Sequence, residues 1–297
     1  MARTAESVNA VIKAYDVRGV VGEQIDAEFV RDVGASFARL VRDSGTAASQ
    51  VVVGHDMRAS SPDLSRAFAD GVTSQGLDVV HIGLASTDQL YFASGLLDCP
   101  GAMFTASHNP AKYNGIKLCR AGAKPVGQDT GLATIKAELV AGVPVHDGAK
   151  GSVSERDVLG EYAEFVRSLV DLSQVSGVKI AVDAGNGMGG HTVPAVFEGL
   201  PVTVEPLYFE LDGTFPNHEA NPLDPENLKD LQRFVRETGA DIGLAFDGDL
   251  PFLHHFQQRR LGLGRRPVDL VGEQQVGEGR PLAHPEIAAL AVEQGVA

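Results

Sequence analysis

Apolar positions recur at two different periods along the first 140 residues of the chain. Asp26 is typical of a helix N-cap, and apolar residues follow it at helical spacing as far as Val41. The apolar run at 51–53, closed by Gly54, predicts a buried strand, and Ser61-Pro62 predicts the start of a helix. Another helix is predicted at 88–97, and further strands at 77–82, 101–106 and 116–119. This alternation of strands and helices predicts a layered α/β domain.

A segment rich in glycine and small residues follows at 141–152, and we place a domain boundary near residue 150. A second series of elements comes after it. Helices are predicted at 158–169, 192–200 and 225–238, and strands at 178–182, 202–208 and 242–246. The pattern predicts a second, smaller α/β domain over residues 151–249.

Residues 250–297 differ in composition from the rest of the chain. They contain no Lys, and their five Arg balance five acidic residues, so the formal charge of −14 belongs to the preceding part. Apolar periodicity is absent apart from 285–292, which is compatible with one helix. These features predict an irregular, poorly ordered C-terminal tail.

Composition and charge narrow the class of protein. The chain has 297 residues, of which 43% are hydrophobic, enough for about two well-buried cores. Its charge of −14 disfavours nucleic acid as a partner. No apolar run approaches the roughly 20 residues of a membrane span, and the N-terminus shows no secretory signal. With two cysteines, Cys99 and Cys119, we expect a reduced, cytoplasmic protein.

One polar loop combines three kinds of reactive side chain. Ser107 and His108 stand together in TASHNP (105–110), and Lys117 follows ten residues after the serine. A hydroxyl, an imidazole and an ammonium are the groups that phosphoryl transfer needs: a phosphate carrier, a proton mediator and a cation. The alternative is an ordinary turn between two strands, since Asn-Pro and Asn-Gly are common turn dipeptides.

Two further segments carry candidate ligands. Asp247 and Asp249 flank a glycine after a predicted buried strand, which suits a hard, oxygen-liganded cation such as Mg²⁺. The alternative is an acidic turn. Tyr15 and Arg18 lie in KAYDVRG (13–19), where the guanidinium could grip a phosphate or simply end a surface strand.

Taken together, these segments resemble the α-D-phosphohexomutase family, the phosphomannomutases and phosphoglucomutases. The resemblance is carried in order by KAYDVRG, TASHNP, GIKL, DAGNGMGG, FPNHEANPLDPENL and DIGLAFDGD. It covers about residues 10–249, the first two of the family's four domains. It implies two consecutive three-layer α/β domains, the first (1–150) with the phosphoserine loop and the second (151–249) ending in the metal loop, followed by the tail.

The resemblance also implies a role for each matching residue. Ser107 would be the phosphoserine that gives its phosphoryl group to a hexose phosphate and recovers one from the bisphosphate intermediate. The substrates implied are glucose or mannose 1- and 6-phosphates. Mg²⁺ would be held by Asp247, Asp249 and an oxygen of Ser107. His108 and Lys117 would take part in catalysis by handling the proton and the charge at the transferring oxygen. The residues implied in substrate or phosphate binding are Tyr15, Arg18 and Asn109. Arg58, in GHDMR (54–58), is expected to steady the serine loop or to be a solvated surface arginine.

The metal loop departs from the family pattern, Asp-Gly-Asp-x-Asp-Arg. Pro251 and Phe252 replace the third carboxylate and the arginine, and the resemblance stops there. We therefore expect a truncated or frame-shifted phosphohexomutase with residues 250–297 from another frame or source. We expect weak Mg²⁺ affinity, because only two protein carboxylates remain to bind the metal. We also expect poor sugar selection and little or no turnover, because no surface holds the far end of the sugar.

Two other classes of function stay open. Gly185, Gly187 and Gly190 satisfy G-x-G-x-x-G between a strand and a helix, and Glu205 lies about 20 residues on, as in an NAD(P)-binding oxidoreductase. Against this, Asp183 would face the pyrophosphate. The third class is an inactive remnant or interaction protein, whose uncovered apolar surface would favour self-association.

Overall fold

The computed structural model describes residues 3–45, 48–172 and 175–249, and the backbone of two strands at 253–258 and 291–292. It divides the chain into two compact units, which are Met1–Ala106 with Pro110–Tyr162 and Ser107–Asn109 with Ala163–Ala297. The proposed domain limits at residues 150 and 249 stay predictions. Most of the predicted disordered tail lies outside the described residues.

The first unit is built on one mixed sheet. Its elements are α1 (Ala5–Val11), β1 (Val17–Val20), α2 (Ala27–Asp43), β2 (Gln50–His55), α3 (Ser61–Ser74), β3 (Asp78–Leu84), α4 (Thr87–Leu96), β4 (Gly101–Phe104), β5 (Tyr113–Arg120), β6 (Lys124–Pro125), α5 (Leu132–Ala141) and β7 (Val153–Glu155). The strand order is β1-β5-β4-β2-β3-β7, with β6 also paired to β5. Strands β4, β2, β3 and β7 run parallel, whereas β5 is antiparallel to β1, β4 and β6.

Local signals explain where the helices of this unit begin. The carboxylate of Asp26 accepts a 2.6 Å hydrogen bond from the N–H of Phe29 and caps α2, as predicted. Helix α3 begins at Ser61 with a proline in its first turn, also as predicted. Helices α2 and α3 pack with their backbones close together, because a Cβ at Gly71 would lie only 2.0 Å from the carbonyl oxygen of Arg31.

Alternation along β2 shows that helices cover both faces of the first sheet. Val51 and Val53 join a buried cluster that includes Phe37 of α2, whereas Val52 joins a second cluster with Leu90 of α4. Successive side chains of a strand point to opposite faces, so the sheet is the middle of three layers.

The second unit repeats this plan with fewer elements. After α6 (Leu159–Ser168), whose first residues belong to the first unit, they are β8 (Val178–Asp183), α7 (Gly189–Phe197), β9 (Val202–Leu207), α8 (Lys229–Thr238), β10 (Ile242–Phe246), β11 (Leu253–Gln258) and β12 (Ala291–Val292). The strand order is β12-β11-β10-β8-β9, and β10, β8 and β9 run parallel.

Two predictions of secondary structure in this unit need correction. The segment Pro225–Leu228 is a 3₁₀ turn before α8 begins, and Ala291–Val292 is a strand rather than the end of a helix.

Both faces of the second sheet are also covered. Ala181 contacts a cluster that includes Leu231 of α8, while Ile180 joins a cluster with Val193 of α7. The prediction of two consecutive three-layer α/β domains is therefore confirmed. Within the part of the chain that the structure describes, no helix combines the length and apolar character needed to cross a membrane.

Candidate functional site

Ser107 lies in the loop that joins β4 to β5, as the sequence predicted. Its side chain is buried, with a relative exposure of 6%. Its backbone is left-handed, with φ of 52°. This conformation costs a non-glycine residue on the order of 1–3 kcal/mol, and such strain clusters at functional sites.

The carboxylate of Asp247 contacts both predicted reactive groups of this loop. Oγ of Ser107 donates a 2.8 Å hydrogen bond to Oδ1 of Asp247. Nδ1 of His108 lies 3.2 Å from the other oxygen, Oδ2. Asp247 follows β10 directly, and only 4% of its surface is exposed. The structure therefore brings a hydroxyl, a carboxylate and an imidazole together in the second unit.

Asp249 supplies a second buried carboxylate next to this group. Its relative exposure is 0%, and its N–H lies 3.4 Å from Oδ1 of Asp247. Two carboxylates and a serine hydroxyl are hard oxygen donors, which fit Mg²⁺ in kind, since Mg²⁺ commonly takes one or two protein carboxylates and completes its shell with phosphate and water. Among the described residues no group of three or more His, Cys, Asp or Glu could hold a metal ion. Pro251 and Phe252 lie outside those residues.

The glycine-rich turn after β8 uses its amide groups within the protein. The N–H of Asn186 donates to the carbonyl of Tyr208, that of Met188 to Gly248, and that of Gly190 to Gly187. A dinucleotide-binding turn offers such amides to a pyrophosphate. The engagement of these groups argues against the NAD(P) alternative.

Asp183, at the end of β8, stabilises this turn through its carboxylate. Its Oδ1 accepts a 2.9 Å hydrogen bond from the N–H of Gly185, and its Oδ2 lies 3.0 Å from Nε2 of His218. Burial lowers the pKa of His218, but the hydrogen bond and charge of Asp183 outweigh it and the pKa is raised. Neither Asp183 nor His218 was predicted as a functional residue.

In the first unit, two predicted cations share one face of the sheet. Arg18 on β1 pairs with Gly115 on β5, and Lys117 lies two residues beyond Gly115. Residues two apart on a strand point to the same face, so Arg18 and Lys117 are diagonal neighbours. Arg18 also forms an ion pair with Asp16. Tyr15 is 76% exposed, and Asn109 is half-buried in the serine loop.

A buried ion pair holds the turn that follows the serine loop. Nε of Arg58 donates a 3.2 Å hydrogen bond to Oδ2 of Asp56, and the two residues are 2% and 1% exposed. Nη1 of Arg58 donates to the carbonyl oxygens of Pro110 and Tyr113, at 3.1 and 3.2 Å. Because these carbonyls lie at the two ends of one turn, Arg58 fixes its geometry. Of the two readings of Arg58, the alternative of a solvated surface arginine is wrong.

Asp56, which the sequence did not single out, is the centre of this cluster. It accepts a 2.6 Å hydrogen bond from Oγ of Ser61 and another from the side chain of Thr105, two residues before Ser107. Burial raises the pKa of Asp56 despite the opposing charge of Arg58. A carboxylate directly after a buried strand was the available sequence signal. The cluster therefore binds Thr105 before residues 107–109 and Pro110 after them.

These features define a class of protein with two consecutive α/β/α domains. In it a serine with a strained backbone lies beside the buried residues Asp247, Gly248 and Asp249, here called the acidic loop. Two family models match the chain, described as phosphoglucomutase/phosphomannomutase alpha/beta/alpha domain I over residues 9–142 and domain II over residues 160–251. The chain belongs to the phosphoglucomutase/phosphomannomutase family.

Similar proteins agree with this membership. A phosphomannomutase of Vibrio cholerae is 37% identical over 243 residues, which are 80% of this chain and 52% of that protein. A phosphoglucomutase of Neisseria meningitidis is 37% identical, covering 80% and 51%. The crystal structure of a phosphoglucomutase/phosphomannomutase family protein from Burkholderia thailandensis matches with a TM-score of 0.74 and 35% identity, covering 81% and 53%. The chain thus spans about half the length of the relatives it matches.

Proposed function

We propose that Ser107 is the temporary phosphate carrier of a hexose phosphate mutase reaction. The substrates would be glucose or mannose 1- and 6-phosphates, with a sugar bisphosphate as intermediate. The observation that supports this most is the hydrogen bond between Ser107 and Asp247, made by a buried serine with a strained backbone. The resemblance of TASHNP to the phosphoserine loop of the family supports it independently.

The transfer step can be assigned to groups of this chain. A bond forms between Oγ of Ser107 and the phosphorus of a sugar phosphate, and the bond from that phosphorus to the sugar oxygen breaks. The proton of Oγ must leave during this step. Asp247 accepts the hydrogen bond from Oγ, and His108 contacts the same carboxylate. We assign to His108 the role of taking up this proton and giving it to the departing sugar oxygen.

Positive charge is also needed around the transferring phosphoryl group. The family resemblance assigns Lys117 to charge handling and Arg18, Tyr15 and Asn109 to phosphate binding, and within the first unit Arg18 and Lys117 lie on one face of β1 and β5. Asp247, Asp249 and an oxygen of Ser107 would hold Mg²⁺. When bound, the metal would supply positive charge that offsets the negative charge of the phosphoryl group.

The phosphate-carrying step and full turnover are separate properties. Relatives extend over about twice the matched length, so a polypeptide of these 297 residues holds about half of such a protein. We propose that it accepts phosphate on Ser107 but isomerises sugar phosphates weakly or not at all. Formation of glucose 6-phosphate from glucose 1-phosphate, with a trace of bisphosphate and Mg²⁺, measures this turnover. Robust turnover would contradict the proposal.

Two buried free thiols, Cys99 and Cys119, fit a reducing compartment such as the cytoplasm.

Intact-mass analysis tests the proposed carrier. The 297-residue chain is incubated with glucose 1,6-bisphosphate and Mg²⁺, and the peptide containing Ser107 is examined for one added phosphate. We expect the phosphate in the wild type and in Ser154→Ala, which changes an exposed serine of β7, and none in Ser107→Ala. Equal phosphate uptake by Ser107→Ala, or none by a folded wild type, would refute the proposal.

A further inference from the structure

The G-x-G-x-x-G turn between β8 and α7 has no role in the proposed reaction, yet it is packed against the acidic loop. The N–H of Met188 donates a 2.8 Å hydrogen bond to the carbonyl oxygen of Gly248. A Cβ at Gly187 would lie 2.6 Å from that oxygen and 2.8 Å from Cα of Gly248. Atoms bound only by van der Waals contact do not come this close, so the approach is available to glycine alone.

The acidic loop has little room to move away from this turn. On another side of Gly248, a Cβ would lie 2.9 Å from the carbonyl oxygen of Ser107 and 3.3 Å from Cβ of Ala220. Gly248 is therefore enclosed by backbone from two segments. Asp247 and Asp249 are joined to it by rigid peptide planes, so any shift of Gly248 moves both of their carboxylates.

We propose that the Gly187–Met188 turn is a positioning element for the acidic loop. It holds the backbone of Gly248 so that the carboxylates of Asp247 and Asp249 keep the spacing needed to bind one divalent cation. The turn whose sequence resembles a dinucleotide-binding fingerprint thus binds the backbone of Gly248 instead of a nucleotide. This inference rests on the proposed function, because it assumes that the two carboxylates bind a metal.

Binding of Mn²⁺, measured from the electron paramagnetic resonance signal of the free ion, tests the proposal without any catalytic readout. We expect Gly187→Ala to weaken Mn²⁺ binding by about 10- to 100-fold, the usual effect of disturbing groups that orient metal ligands. Gly160→Ala, in α6, is the matched control, since the added Cβ meets nothing within 4 Å. We expect its Mn²⁺ affinity to stay within about twofold of the wild type.

Amide hydrogen exchange in the wild-type chain gives a second test that needs no variant. Addition of Mg²⁺ should slow exchange at Met188, whose N–H is bonded to Gly248, and leave Ala240 unchanged. Equal Mn²⁺ affinity in the wild type and Gly187→Ala, or unchanged exchange at Met188, would overturn the inference while the metal site stands. A wild type that binds no Mn²⁺ would overturn the metal part of the proposed function as well.

Discussion

Oγ of Ser107 and Oδ1 of Asp247 lie 2.8 Å apart although 140 residues separate them in the chain. The contact joins the predicted phosphate carrier to a predicted metal ligand. Since Asp247 also contacts His108, one carboxylate contacts both the proposed phosphate carrier and the proposed proton mediator.

The charge of Asp247 can be removed with little change of shape. Asp247→Asn keeps an oxygen that can accept the hydrogen bond from Ser107 but offers no charge to a cation. We expect Mn²⁺ binding to weaken by about 10- to 100-fold and phosphate uptake on Ser107 to fall with it. Titration with Mn²⁺ and intact-mass analysis measure the two effects. Asp98→Asn, at an exposed position, should change neither, and unaltered Mn²⁺ binding by Asp247→Asn would contradict the assignment.

The buried pair of Arg58 and Asp56 should contribute far more to stability than a surface pair. Arg58→Ala leaves the Asp56 carboxylate buried without its cation, and breaking such pairs costs about 3–5 kcal/mol. Arg66→Ala, which removes the exposed pair with Asp63, should cost about 0–1 kcal/mol. Urea denaturation gives both free energies of unfolding. Similar small losses in the two variants would show that Arg58 is not a structural anchor.

Close packing of α2 against α3 should tolerate no side chain at Gly71. A Cβ there would lie 2.0 Å from the carbonyl oxygen of Arg31, so Gly71→Ala must displace one helix, at a cost of about 1–3 kcal/mol or more. Gly95→Ala is the matched control in α4, where the added Cβ meets nothing within 4 Å. We expect it to be neutral or to stabilise by up to about 1 kcal/mol. Thermal unfolding of the two variants checks the difference; a stable Gly71→Ala would contradict the packing.

His81 should make the first unit less stable in mild acid. Burial lowers the pKa of His81 below its ordinary value of 6.5, with a further contribution from His55. Its Nδ1 accepts a hydrogen bond from the N–H of Gly83. A proton added to Nδ1 would therefore face another donor and find no acceptor. The unfolded chain takes up a proton first as the pH falls below about 6.5, so this stability is present above that pH and is lost as the pH falls through the folded pKa.

Unfolding by urea at several pH values between 7 and 5 measures this effect. His81→Gln, which cannot titrate, should show a weaker loss of stability over that range than the wild type. His218→Gln is the opposite control: its raised pKa stabilises the fold below about pH 6.5, so its removal should steepen the loss. An unchanged pH dependence in His81→Gln would refute the assignment to this histidine.

Elements with strong local signals could be predicted from the sequence alone. The cap at Asp26, the proline in the first turn of α3 and the apolar strand β10 all appear where they were expected. Helices α1 and α5 and strand β1 were not predicted. Helix α1 has only seven residues, although Thr4 caps it, and α5 has no side-chain cap. Their formation depends on burial against the rest of the unit.

The sequence by itself determined the class of fold, the family resemblance and the identities of the reactive residues, because periodicity, caps and short motifs are properties of neighbouring positions. Only the tertiary structure decided which of those residues meet. It brought Asp247 to Ser107, Arg58 to the carbonyl oxygens of Pro110 and Tyr113, and Gly248 to the turn at Gly187. Contacts between distant segments are set by how whole layers pack, and one-dimensional spacing does not contain that information.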